Sequence, residues 1–487
     1  MGNYLNSPTT VEPKHVHDSH VIRPARKPTA CNEGRPNAKI DDLPQDVLCT
    51  ILSKLPAKEA VRSSIYSSEW RYLWTACPRL SFNGNCDVRR HGGKQNAQVL
   101  IDHVNAVLQK HCGKVVEDLV IKFIFQSKLA YHLDNWTRFA ISSQTKILVF
   151  DLAPPSDFLK HGDYYRFPFE LFDKEGVSCL ECLQISFVSF KTPPAQFIGF
   201  PNLRKLDLHL LNTTRQDLDT ILCSCENLQW LSIVRCQLKD ELKFSRPLSQ
   251  LQYFRIKHCY DITKIEFNAA KLSTFTYTGN CIPIALHHSL KLENAEVIFH
   301  GSTFQRGTTV LLDGLPGVQN LTLDFAFQGM ETTWALDSRQ VFSQLRHVQI
   351  VLSMCEEDED KIPYIISLLR VAPFIENLEV HLEGTYTLWF AKGGPSRLDV
   401  PACGYKYRNL KKMCLTGFRA ARGQIELLLH VVENAPAIET MTVDTKEKLV
   451  DLLHPEKIKP GLRCAALDTV RGHLRERLPP NARLYLL

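Results

Sequence analysis

The sequence lacks long apolar runs. None of its 487 residues belongs to an uninterrupted apolar stretch of the roughly 18 to 20 residues that a membrane-spanning helix needs. The N-terminal segment MGNYLNSPTTVEPKHVHDSH has no apolar core of the kind found in signal peptides. It begins Met-Gly, but Asn6 stands where a myristoylation site carries Ser or Thr. We therefore expect no membrane association and a location in the cytoplasm or nucleus.

Concentrated charge of one sign is also scarce. The chain carries 58 Lys and Arg against 52 Asp and Glu, so its formal net charge is only +6. The basic residues form no stripe of the kind that binds nucleic acid, and we expect no nucleic-acid partner. One acidic run, Glu356 to Asp360, is interpreted as a solvated loop.

Motifs for catalysis or cofactor binding are missing. There is no phosphate-binding or dinucleotide-binding glycine loop, no H-E-x-x-H and no G-x-S-x-G. Cys179 and Cys182 form a lone C-x-x-C, and the N-terminal histidines His15, His17 and His20 have no completing ligands. The 16 cysteines are scattered, and we expect reduced thiols. These features predict no metal, cofactor or catalytic residue, and favour a binding protein over an enzyme.

Three short helices are predicted between residues 40 and 77, after a disordered arm at 1–39 that is rich in Pro, Asn, His and basic residues. The first lies in LPQDVLCTILSKLP, between Pro44 and Pro56. Its apolar residues fall at helical spacing on one stripe, namely Val47, Leu48, Ile51, Leu52 and Leu55. The second, AKEAVRSSIY, turns Ala60, Val61 and Ile65 inward. The third, SSEWRYLWTAC, has an apolar face of Trp70, Leu73 and Trp74.

A repeat begins near residue 110. The pattern of an apolar residue, two others, an apolar residue, one other and an apolar residue recurs eleven times. Four successive spacings are 23, 25, 23 and 21 residues, as in leucine-rich repeats. In two repeats, Cys236 and Cys259 occupy the Asn/Cys place and are predicted to be buried. The eleven matches start at Val116, Leu180, Leu203, Leu228, Leu251, Leu272, Val318, Leu345, Ile375, Leu410 and Ile438.

These segments carry a resemblance to a known family. IDDLPQDVLCTILSKLPAKEAVRSSIYSSEWRYLW, Ile40 to Trp74, resembles an F-box in the plant form that WRYLW closes. The repeats resemble those of plant F-box/leucine-rich-repeat proteins, and NLKKMCLTGFRAARGQIELLLHVVENAPAIETMTV, Asn409 to Val443, resembles the FBD domain. The expected fold is therefore α/β: a three-helix F-box at 40–77, a leucine-rich-repeat solenoid at 110–400, an FBD-type cap at 401–450 and a C-terminal tail at 451–487.

The resemblance implies a function. F-box proteins are substrate receptors of SCF-type ubiquitin ligases, in which the F-box docks on a Skp-type adaptor held by a cullin scaffold. The remainder of the chain captures an unknown protein substrate. The module of 40–77 is also too small to bury all its apolar surface alone. The residues expected to contact or support the adaptor are Leu43, Pro44, Val47, Leu48, Ile51, Leu52, Leu55, Pro56, Val61, Trp70, Leu73 and Trp74.

Substrate contacts are predicted on the concave face of the solenoid, at residues that flank the last two apolar positions of a repeat. Aromatic and Arg side chains there would form an energetic hot spot. In three consecutive repeats these residues are Lys205, Asp207 and His209, then Trp230, Ser232 and Val234, then Tyr253, Arg255 and Lys257.

One stretch departs from the family. YSSEW, Tyr66 to Trp70, lacks the two basic residues usual before the tryptophan, and Glu69 takes the place of one of them. Because adaptors of this type are acidic, docking is expected to be less strongly steered. Three alternatives remain open: a repeat scaffold that acts outside a ligase, a hormone co-receptor and an enzyme.

Overall fold

The computed structural model describes most of the chain after residue 39, namely residues 40, 43–65, 70–84, 96–113, 115–154, 163–172, 179–194, 197, 199–326, 340–353, 362–384, 389–390, 406–448 and 460–487. The predicted arm at 1–39, Tyr66 to Glu69 and the acidic run at 356–360 lie outside the described residues. The chain divides into two units, Met1–Pro44 and Gln45–Leu487. The second unit contains every helix and strand named below.

The N-terminal helical module comprises α1 (Gln45–Leu52), α2 (Ala57–Arg62) and α3 (Trp70–Leu73), with 3-10 turns at Ser63–Ile65 and Trp74–Ala76. The helix α1 ends before Pro56, because the amides of Lys54 and Leu55 bond to the carbonyls of Ile51 and Leu52 as in a 3-10 turn. Ile65 was expected to point inward but is 82% exposed. The 3-10 turn shifts its side chain off the face that Ala60 buries.

Fifteen parallel strands form one sheet within the described residues. When all strands are numbered in chain order, the sheet contains β1 (Arg79–Asn83), β2 (Asp118–Lys122), β3 (Ile147–Asp151), β5 (Cys182–Ser186), β7 (Lys205–His209), β8 (Trp230–Val234), β10 (Tyr253–Lys257), β12 (Thr274–Asn280), β14 (Asn294–His300), β15 (Asn320–Ala326), β16 (His347–Ser353), β17 (Asn377–Glu383), β18 (Lys412–Thr416), β19 (Thr440–Val443) and β20 (Arg483–Leu486). The spatial order follows the chain order throughout. Such an order is that of a repeat solenoid, and the predicted α/β class is confirmed.

The repeat motif marks the strands closely. Each of the eleven matches starts two residues before a strand, as Leu203 does before β7. The motif missed β1, β3, β14 and β20 because one apolar place carries a small or polar residue. These residues are Cys77, Thr145, Ala295 and Asn481. Leu80, Leu148, Ala295 and Val297 of β1, β3 and β14 are nonetheless buried.

One side of the large sheet is covered by helices and smaller sheets. The helices are α4 (Asn96–Lys110), α5 (Ala130–Ser142), α6 (Arg215–Leu222), α7 (Phe304–Gly314), α8 (Ile366–Arg370), α9 (Arg422–Asn434) and α10 (Pro460–Leu474). The smaller sheets are β9 (Asp240–Lys243), β11 (Ile262–Asn268) and β13 (Ile284–His287), and the pair β4 (Tyr165–Arg166) and β6 (Val188–Ser189). Alternating apolar residues such as Ile284 and Leu286 favour strands over helices in these middle repeats.

A recurrent turn ends the strands of the early repeats. The residue after each of β5, β7, β8 and β10 has a positive φ, as at Phe187 and Leu210. In the first three of these turns the amide of this residue bonds to the last carbonyl of the next strand of the large sheet, for example Leu210 to Val234 at 2.9 Å, whereas the His258 amide bonds to Thr278 within β12. Cys236 and Cys259 follow the turns and are buried as predicted. The Cys259 thiol accepts a hydrogen bond from the Cys236 amide at 3.3 Å, so the cysteine place also links neighbouring repeats.

The helical module and the first repeats share one apolar core. Leu52 and Cys77 belong to the same buried cluster as Phe82 and Val104. The amide of Cys112, beyond α4, bonds to the carbonyl of Thr75 at 2.9 Å. Strands β18 and β19, within the predicted FBD-type cap, pair with β17 and β20 in the same sheet. No helix in the described ranges is long and apolar enough to cross a membrane.

Candidate protein-interaction surfaces

The apolar stripe of α1 has two sides. Leu48 and Leu52 are buried, at 4% and 0% exposure, and belong to the shared core. Val47, Ile51 and the following Leu55 remain 38%, 40% and 40% exposed. These three residues are spaced by four and lie along one face. We call Val47, Ile51 and Leu55 the docking row.

The other residues expected at the adaptor surface are divided between exterior and core. Leu43 and Pro44 of the first unit and Pro56 of the second are exposed. Leu73 is buried and accepts a hydrogen bond from the Cys49 thiol through its carbonyl. Leu48, Leu52 and Leu73 therefore support docking indirectly, because they hold α1 against α3. The half-buried members are Val61, Trp70 and Trp74.

Two exposed side chains of the module were not selected from the sequence. Ile65 is 82% exposed and Tyr72 is 71% exposed. Both are large apolar or aromatic residues on a short module, and such residues tend to mark interaction surfaces when they stand exposed together. The signal in the sequence was the position of Tyr72 on α3, outside the predicted apolar face of Trp70, Leu73 and Trp74.

The second surface is the side of the large sheet that none of the described helices or smaller sheets covers, which we call the open face. Along each strand its residues alternate with buried ones. The strand register brings all nine predicted substrate-facing residues together in three rows: Lys205, Trp230 and Tyr253; Asp207, Ser232 and Arg255; and His209, Val234 and Lys257. Ser232 is fully buried within its row, and the other eight are partly exposed.

An aromatic stack occupies the first row. The rings of Trp230 and Tyr253 lie 3.6 Å apart and within 11° of parallel. The ammonium group of Lys205 lies 5.3 Å from the centre of the Trp230 ring. Trp230 is thus held between a cation and a second ring. Its indole N–H is buried and has no hydrogen-bond partner among the described residues.

A polar contact set occupies the second row. Arg255 donates through Nε to the Ser232 hydroxyl at 3.0 Å, and its Nη2 lies 3.7 Å from the Asp207 carboxylate. In the third row, Lys257 reaches Glu296 of β14 at 3.4 Å. These contacts fix the orientation of the long cationic side chains, which lowers the entropy lost when a partner binds.

A cavity of about 280 Å³ opens beside these rows. Four of its lining residues, Asp207, His209, Val234 and Arg255, are among the predicted substrate-facing residues, whereas the cavity itself and the residues from earlier strands were not predicted. Residues of the earlier strands could have been predicted by applying the same alternation of outward and buried positions to β2, β3 and β5. Burial and the nearby Arg235 lower the pKa of His209, so its ring is neutral at neutral pH. The earlier strands contribute Lys122, Val149, Phe150, Asp151, Gln184, Ile185 and Ser186.

Within the described part of the chain, no group of three or more His, Cys, Asp or Glu side chains could hold a metal ion. Cys179 and Cys182 are free thiols there.

Comparison with known proteins adds two domain matches. The F-box domain matches residues 40–82, and the domain described as At1g61320/AtMIF1, LRR domain, matches residues 107–475, most of the chain. The Arabidopsis thaliana F-box/FBD/LRR-repeat protein At1g13570 is 23% identical over 443 residues, covering 88% of this chain and 98% of its own. A second F-box/FBD/LRR-repeat protein of Arabidopsis thaliana, At2g04230, is 24% identical over 470 residues, covering 92% and 98%.

Proposed function

The chain belongs to the F-box/leucine-rich-repeat family, and on this premise we propose that it is the substrate-recognition subunit of an SCF-type ubiquitin ligase. The helical module binds a Skp-type adaptor and, through it, a cullin scaffold. The open face binds the substrate protein. The chain performs no chemistry of its own in this proposal, and the complex assembles in the cytoplasm or nucleus.

The docking row supports this proposal most strongly. Three apolar side chains with about two fifths of their surface exposed stand in a row along α1 and the turn that follows it. Exposed apolar side chains in a row favour a protein partner over solvent. The buried Leu48 and Leu52 fix α1 in place, so the row is preformed and binding does not have to order it.

The open face provides a separate surface for the substrate. Trp230, Tyr253 and Arg255 are residue types that dominate binding energy in protein interfaces. Here each is held by a neighbour, through the ring stack or through the Ser232 hydroxyl.

Shared packing joins the two surfaces. His111 contacts the Cys77 carbonyl at 3.1 Å, and Cys112 bonds to Thr75, so the residues after α4 clasp the end of the module. Only Cys77 and Pro78 lie between the last turn of the module and β1. A substrate on the open face would be held in a fixed orientation to the adaptor.

The full chain co-expressed with a plant Skp-type adaptor tests the proposal. We expect both to co-elute in size-exclusion chromatography and to recruit a cullin added afterwards. If the chain elutes alone while an unrelated F-box protein binds the same adaptor, the ligase role fails and the repeat scaffold becomes the better description.

The cavity favours a second candidate, the hormone co-receptor. Its volume of about 280 Å³ lies just below the roughly 300–1,000 Å³ of typical ligand sites. If a small molecule assists substrate capture, dialysis of a plant extract will abolish capture and its low-molecular-weight fraction will restore it. Capture that survives dialysis would count against the co-receptor role.

A further inference from the structure

The open face carries a group of cations, with Asp207 among them, and a group of carboxylates farther along the sheet. Strands β7 and β10 carry Lys205, Arg255 and Lys257, which we call the basic patch. Strands β15 and β17 carry three carboxylates at outward positions, Asp324, Glu379 and Glu383, which we call the acidic patch. In sequence the two patches are far apart, and the register of the sheet sets them on one face.

The acidic patch is incompletely neutralised. Burial raises the pKa of Asp324, and no ion pair to it occurs among the described residues. Burial, Asp324 and Glu447 raise the pKa of Glu383. The Oε1 atom of Glu383 is buried and has no hydrogen-bond partner in the described structure. A cationic partner would relieve both carboxylates.

The third carboxylate of the patch, Glu379, is better satisfied. It lies 3.1 Å from His347, 3.2 Å from His381 and 3.9 Å from Lys448. Burial and Lys448 lower the pKa of His381, so at neutral pH His381 adds no charge that would cancel the patch.

The basic patch is only partly neutralised, since Lys257 pairs with Glu296 at 3.4 Å. The ammonium group of Lys205 lies 5.3 Å from the centre of the Trp230 ring, and Lys205 forms no ion pair within the described residues. Arg255 is 3.7 Å from Asp207, a long separation for an ion pair. The pKa of neighbouring His209 and His258 is lowered, mainly by burial, so the positive charge at neutral pH is that of the lysines and arginine.

A mostly uncharged belt separates the patches. Strand β12 has threonines at its outward positions, of which Thr274 is partly exposed while Thr276 and Thr278 are buried. Strand β14 carries Asn294 and Ile298 at outward positions, and the carboxylate of Glu296 between them pairs with Lys257. From β10 to β15 there are three strand steps, and from β10 to β17 five. At about 4.8 Å a step these span roughly 14 to 24 Å, which an extended peptide covers with about four to seven residues.

We propose that the substrate segment bound on the open face is bipolar. An acidic block lies on the basic patch, a basic block lies on the acidic patch, and about four to seven mostly uncharged residues cross the threonine strand β12. This inference rests on the proposed function and specifies the substrate class. Charge complementarity with two patches of opposite sign selects this segment over one that is uniformly acidic or uniformly basic.

Synthetic peptides test the spacing. The probe is a fluorescein-labelled peptide with a block of glutamates, a Gly-Ser spacer of about five residues and a block of lysines. Its control has the same composition with glutamates and lysines interleaved. We expect the bipolar peptide to bind the purified full chain about tenfold more tightly than the interleaved control at low salt, with the difference shrinking as salt screens the charges.

Charge variants test the placement. Glu383→Gln and Lys205→Met should each weaken the bipolar peptide about three- to tenfold. Their matched controls, Glu226→Gln and Lys239→Met, change exposed charges outside both patches and should have no effect. Lys205→Glu should in turn gain affinity for a peptide with lysines at both ends, a compensation that a merely destabilised protein would not show.

Two results would overturn the inference. One is equal affinity for the bipolar and interleaved peptides, and the other is a preference for a wholly acidic peptide. Adaptor co-elution is scored on the same preparations. If the adaptor binds and the bipolar preference is absent, only this inference fails; if the preference is present and the adaptor does not bind, only the ligase role fails.

Discussion

Replacement of Ile51 by Asp should abolish most adaptor binding while leaving the fold intact. Complete burial of an Ile, Leu or Val side chain gives about 1.5–3 kcal/mol. Because each side chain of the docking row is about 40% exposed, covering it would add roughly 0.6–1.2 kcal/mol. The three together would contribute about 2–3.6 kcal/mol, or roughly 20- to 400-fold in affinity. Ile51→Asp loses the binding free energy of one side chain of the docking row and also places an unpaired carboxylate against the adaptor.

The affinity is measured by biolayer interferometry with the immobilised adaptor, and stability by thermal unfolding. Ile51→Ala should weaken binding about three- to eightfold, and Ile51→Asp by far more. Val99→Asp places the same charge at an exposed apolar position of α4 and should bind normally. Leu52→Ala removes a fully buried side chain and should instead cost about 2–5 kcal/mol of stability. Binding by Ile51→Asp within twofold of the original would refute the docking row.

Three further predictions concern other sites. Burial, Arg370 and Lys406 lower the pKa of His430 to about 4. The unfolded chain takes up this proton near pH 6.5, so stability is complete above that pH and falls by up to about 3 kcal/mol on acidification to pH 4. Urea unfolding above pH 6.5 and at pH 4 measures this loss of stability, which should be smaller in His430→Asn. An equal loss of stability in that variant would contradict the assignment. Arg419→Met should cost about 3–5 kcal/mol in the same assay, because it strands the buried Glu447 carboxylate 3.0 Å away; Glu447→Gln in the same chain should recover part of it. Glu69→Arg should tighten adaptor binding a few-fold at low salt in surface plasmon resonance, and weaker binding would place position 69 away from an acidic interface.

Local sequence patterns were sufficient for much of the fold. The proline-bounded apolar stripe predicted the helix α1, and the leucine spacing marked eleven strands two residues ahead of their start. Both patterns are local, because one turn of helix or one repeat buries its apolar residues in the same way wherever it occurs. The pattern failed where long-range packing tolerated a weaker residue. Thr145 and Ala295 stand at apolar places, and the neighbouring strands still bury β3 and β14.

The direction of individual side chains was decided by tertiary structure. The spacing of α1 put Leu52 and Ile51 in one stripe, and only packing against α3 and the first repeats buries the former and leaves the latter exposed. Trp230 was predicted to contact the substrate, and only the structure shows that its ring stacks on Tyr253 and lies beside the Lys205 ammonium group.

The sequence by itself determined the family, the order of the elements and the outward positions of each strand, because these depend on short-range periodicity and on a motif. Only the tertiary structure decided which outward residues meet. The cavity joins Lys122 to Arg255, and the charge patches set Lys205 on the same face as Glu383. No local pattern encodes such neighbours, since their proximity arises from the number of parallel strands stacked between them.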